Sequence, residues 1–128
     1  MTVYQQAINS KHYSYTVKSI YPVKRGINEV VFLFDESEII VEVNDKLIKA
    51  YQLEPNKVID KELFDVLKDF EQVSRAYNKA LKLLTVKDYT YNQMKRKLMD
   101  SGDYDDTQLD ATLELLQEKN LINDEAYT

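Results

Sequence analysis

The side chains most capable of chemistry in this 128-residue chain are the basic run Lys95-Arg96-Lys97, with Lys87 and Asn92 nearby in sequence. Three adjacent cations can hold carboxylates or phosphates. On a helical wheel Arg96 points away from Tyr91, Met94 and Leu98, Asn92 and Met99 accompany it, and Lys95 and Lys97 flank that apolar stripe. The competing reading is an ordinary solvated face whose lysine stems cover the core. Lys87, Asn92, Lys95, Arg96 and Lys97 are the candidate partner-binding residues, chosen on surface chemistry alone.

Other reactive groups do not assemble. His12 is the sole histidine and there is no cysteine, so neither a catalytic triad nor a zinc site has its parts. No glycine-rich phosphate loop is present. Asp100, Asp103, Asp105 and Asp106 crowd Gly102, but they lack the alternating ligand positions and distal Glu of a calcium loop. Helix capping by Asp105 or Asp106 accounts for them better. Tyr13, Tyr15 and Tyr21 share one strand face by parity. They could stack bases, although half-buried sheet surface is the commoner use of such a row. The expectation is a protein without catalytic residues, metal, cofactor or small-molecule substrate.

Apolar residues make up 44% of the chain, enough for a core, and two Gly with two Pro leave little room for long loops. No apolar run approaches the length of a membrane span and no leader pattern is present, so the expected location is cytoplasmic. The net charge is −5. Residues 1–60 are near neutral, while residues 61–128 carry ten basic and fourteen acidic side chains. That balance opposes general nucleic-acid binding and favours a protein partner.

These residues need elements to position them. Residues 13–21, 29–34 and 38–43 read as strands of a small antiparallel meander, with a turn at Asp35-Glu36-Ser37. Asn44 or Asp45 caps a short helix containing Leu47, Ile48 and Tyr51, and Pro55-Asn56 is a turn. Residues 1–12 have no period and read as a strand or a frayed arm.

Asp60 caps a helix over 61–84, about 36 Å long if continuous. Its stripe is Leu63, Leu67, Phe70, Tyr77, Leu81 and Leu84, widened by Phe64, Val73, Ala76 and Ala80. Thr90 with Gln93 forms a capping box for a helix over 91–100, which Gly102 ends. A further helix buries Leu109, Leu113 and Leu116 and closes at Asn120. Leu121 and Ile122 staple the corner, and Asp124 reads as the N-cap of another helix. The expected fold is α+β: a β-rich segment (1–59) and a helical part (60–128) with a three-helix, helix-turn-helix-like module. The helix over 60–84 is shared between the two.

The ordered residues Ala76, Ala80-Leu81, Leu84, Thr90, Gln93-Met94, Lys97-Leu98, Gly102, Leu113, Leu116 and Leu121-Ile122-Asn123-Asp124-Glu125 resemble the first three-helix repeat of the RecX family. Asp45 to Leu53 resembles the short helix and closing Leu of the β segment in the family's Gram-positive branch. Lys87, Thr90, Tyr91 and Asn92 stand where the family often has Arg, Ser and an acidic pair, so the match weakens there. The resemblance implies a non-enzymatic regulator of the RecA recombinase. Such a protein binds RecA and its filament on single-stranded DNA, restrains filament growth, and lowers recombination and RecA-stimulated cleavage of the SOS repressor. Family members of this branch carry three tandem modules, and one is expected here. A lone module would bind more weakly than three linked ones. It would also leave an open apolar face around Leu115, Leu121 and Ile122. The alternatives are a nucleic-acid-binding helix-turn-helix-like module and a general protein-interaction scaffold.

Overall fold

The computed structural model describes residues 14–122. His12, Tyr13, the expected arm over 1–12 and the joint at Asn123-Asp124-Glu125 lie outside the described residues. The chain divides into two compact units, the first running to Glu71 and the second starting at Gln72.

The first unit is an antiparallel sheet with helices. Strands β1 (Ser14–Lys24), β2 (Ile27–Phe34) and β3 (Ser37–Asn44) follow one another, then helix α1 (Asp45–Ala50), strand β4 (Val58–Asp60) and the start of α2 (Lys61–Leu84). The sheet order is β3-β2-β1-β4, so the three-strand meander expected from sequence gains a fourth strand. It pairs Tyr15 with Ile59 and Thr16 with Val58. Three residues between a turn and a helix cap are too short to register as a strand period.

Two-residue turns join the strands. Gly26 (φ 76°) and Asp35 (φ 54°) supply the left-handed backbone these connections require. Asn44 caps α1 by accepting from the Leu47 N–H at 2.8 Å. The helix closes as a Schellman turn, Leu53 N donating to Ile48 O at 2.9 Å with Gln52 left-handed.

The core of this unit gathers Tyr15, Val17, Val30, Phe32, Val41, Val43, Leu53 and Ile59 from the strands and loop, with Phe64 and Leu67 from α2. Tyr15 stacks on Phe64 with ring centroids 3.9 Å apart and on Phe34 at 4.7 Å. Phe32 meets Phe64 edge-on at 5.4 Å.

The predicted tyrosine row does not form. The β1–β2 register slips between Val17 and Ser19, which makes Lys18 the extra residue of a bulge. Side-chain parity inverts there. Tyr15 and Val17 face the core before the bulge and Ile20 packs against it afterwards, leaving Tyr21 57% exposed. Across β2, Lys18 on β1 reaches Glu38 on β3, and that hydrogen bond raises the lysine pKa above its usual value.

Helix α2 begins at the Asp60 cap, whose carboxylate accepts from the Leu63 N–H at 2.9 Å. Phe70, expected on its buried stripe, is 46% exposed, and the buried position belongs to Glu71 at 3%. The reason is polar. β3 is an edge strand, and Glu71 Oε2 accepts from the Glu42 N–H at 2.7 Å while Oε1 pairs with Lys68 Nζ at 3.0 Å. A half-buried edge amide needs a partner, and the carboxylate supplies it while occupying a position where another strand would pair.

The second unit contains the rest of α2, α3 (Tyr91–Met99) and α4 (Asp106–Glu118). Its core is Ala80, Tyr89, Met94, Leu98, Leu109, Leu113, Leu116 and Ile122. Both α3 and α4 start on complete capping boxes, Thr90 with Gln93 and Asp105 with Gln108. Asp105, rather than Asp106, is therefore the cap. Asp105→Ala is expected to cost about 1 kcal/mol and Asp106→Ala less than about half of that, as read by urea denaturation.

Helix α4 ends in a Schellman turn: Leu121 N donates to Leu116 O at 2.8 Å, Asn120 N to Gln117 O at 2.9 Å, and Asn120 is left-handed. That turn folds Ile122 into the core. The apolar face expected around Leu115, Leu121 and Ile122 thus loses Ile122, and only Leu115 and Leu121 remain exposed. No helix among the described residues is long and apolar enough to cross a membrane.

Candidate partner-binding surface

The candidate cations sit on and just before α3. Its capping box fixes where the helix starts, and burial of Met94 and Leu98 fixes its rotation. Gln93, Arg96, Lys97 and Asp100 then share a face at helical spacings of three and four residues. Lys87 and Tyr89, from the connection between α2 and α3, complete a shallow depression of about 280 Å³ with them.

Tyr89 is buried in the helical core, yet its ring supports the site: Lys87 Nζ lies 4.8 Å from the ring centroid. This cation–π contact holds one charge near the mouth. Arg96 and Lys97 are exposed, and neither pairs with a carboxylate among the described residues. Asp100 is the carboxylate among the lining residues.

The five sequence candidates therefore separate. Lys87, Arg96 and Lys97 converge on the depression, while Asn92 and Lys95 do not line it. Lys95 turns toward α4, with its ammonium 4.0 Å from Asp110 Oδ1. Asn92 is exposed on the outer surface of α3. Sequence reasoning missed Tyr89 and Gln93 as lining residues. The spacing of Gln93, Arg96, Lys97 and Asp100 was readable, whereas the placement of Tyr89 depends on how the connection folds back.

Three cations lining one depression can hold an anion. Among the described residues no group of three His, Asp or Glu side chains could hold a metal ion.

The antiparallel sheet of the first unit and the helices of the second make this an α+β protein. No protein-family model matches the chain. It is 26% identical over 94 residues to the regulatory protein RecX of Clostridioides difficile (strain 630), covering 73% of this chain and 43% of that protein. It is 27% identical over 106 residues to RecX of Clostridium beijerinckii, covering 83% and 49% respectively. With RecX of Clostridium perfringens it shares 28% identity over 111 residues, covering 87% and 51%. A crystal structure of regulatory protein RecX has the same fold, with a TM-score of 0.62 and 19% identity over 88% of this chain and 54% of that one. The chain is similar in sequence and in fold to RecX regulatory proteins. It spans about half the length of the curated relatives it matches.

Proposed function

We propose that the chain acts on the RecA recombinase, binding RecA and its filament on single-stranded DNA and restraining filament growth. Lower recombination and weaker RecA-stimulated repressor cleavage, and with it a weaker SOS response, follow from a shorter filament. The observation that carries this reading is the agreement with RecX regulatory proteins across both units, over 73% to 87% of this chain. The cationic depression on α3 supports it by offering a place for a negatively charged partner surface. Helix α2 supplies Phe64 and Leu67 to one core and Ala80 to the other.

The test is the ATP hydrolysis rate of RecA on single-stranded DNA with this chain added. A dose-dependent fall is expected. A rate that stays constant up to a large molar excess over RecA would remove RecA as the target of this chain.

A nucleic-acid-binding module is the second reading. It draws on the same cations, and the net charge of −5 opposes it.

A further inference from the structure

Resting on the reading above for a protein partner, we infer that the depression at Lys87, Tyr89 and α3 is a receptor for a carboxylate-bearing peptide segment, not for a nucleic-acid backbone. Lys87, Arg96 and Lys97 surround a space of about 280 Å³, which is side-chain sized rather than a channel. Arg96 offers the planar fork that matches a carboxylate with two parallel hydrogen bonds. Lys97 and Lys87 add point charges, the latter held over the Tyr89 ring.

The negative groups set the preference. Asp100 lines the same depression, and Asp88 is exposed between Lys87 and Tyr89 in the chain. A polynucleotide presents phosphates at every step and gains affinity by engaging many cations in a row. Here only three cations converge, and a continuous phosphate track would meet the Asp100 carboxylate within one helical turn of Arg96. An acidic peptide places one or two carboxylates among the cations and turns uncharged backbone toward Asp100. Charge complementarity therefore selects a short Asp- or Glu-bearing segment on the partner.

The experiment titrates a short peptide carrying two Glu among uncharged residues and, separately, oligo(dT) of equal charge into the isotopically labelled chain, following backbone amide resonances. The peptide is expected to shift Lys87, Tyr89, Arg96 and Lys97 and to bind more tightly than oligo(dT). Arg96→Glu with Lys97→Glu should weaken peptide binding by at least about tenfold. Asp100→Asn should strengthen it by about threefold. The amide spectrum itself reports that each variant is folded. Tighter binding of oligo(dT), absence of peptide binding, or peptide binding indifferent to the double substitution would each overturn the inference. The two claims fail separately. Slowed RecA hydrolysis without peptide binding removes this inference alone, and peptide binding without any effect on RecA removes the proposed target alone.

Discussion

Phe64→Ala is expected to destabilise the sheet unit by about 3–5 kcal/mol, the usual cost of emptying a buried aromatic site. Phe64 joins the helix to the aromatic part of the sheet core. Its ring lies on Tyr15 at 3.9 Å, meets Phe32 edge-on at 5.4 Å, and is 6% exposed. Removing it opens a cavity and strands two aromatic partners. Small domains have only about 5–15 kcal/mol in hand, so the variant should lose much of its margin. Urea denaturation monitored by tyrosine fluorescence measures this, with Phe70→Ala as the control. Phe70 is half-exposed, and its loss should cost under about 1 kcal/mol. Equal effects at the two positions would mean that the helix is rotated relative to the packing described.

Arg96→Glu with Lys97→Glu is expected to abolish most of the slowing of RecA hydrolysis, while leaving stability nearly unchanged. Both side chains are exposed and neither is paired among the described residues, so folding owes them little. A partner surface that approaches them is different: two reversed charges convert attraction into repulsion as water is excluded. Lys95→Glu is the informative contrast. Lys95 lies toward Asp110 and does not line the depression, so its reversal should weaken inhibition far less. Inhibition that survives the double substitution would move the partner surface elsewhere on the chain.

Much of the fold could be read from residue order, and the reasons are local. The capping box at Thr90, an Asp cap at 105 or 106, the left-handed Asn120 and a helix over 61–84 are determined within a few residues, and the structure has each of them, with Asp105 as the cap. What escaped depends on distant partners. The bulge at Lys18 exists only in the register of β1 against β2, so parity within β1 alone misplaced Tyr21. β4 is three residues long and is defined by its pairing to Tyr15. Glu71 is buried because an edge amide 29 positions away needs an acceptor, which no periodicity on α2 can reveal.

The surface divides in the same way. Arg96 on the outer side of α3 followed from the helical wheel, which put Lys97 beside the apolar stripe with Lys95. Grouping them with Lys87 and Tyr89, and separating Lys95, required the course of the connection before α3.

The most direct test of the central claim compares binding of this chain to RecA filaments assembled on poly(dT) with a non-hydrolysable ATP analogue and to poly(dT) alone, by co-sedimentation. The account predicts saturable sedimentation with the filament and little with naked DNA at the same ionic strength. Equal recovery with and without RecA, or no recovery with the filament, would contradict it.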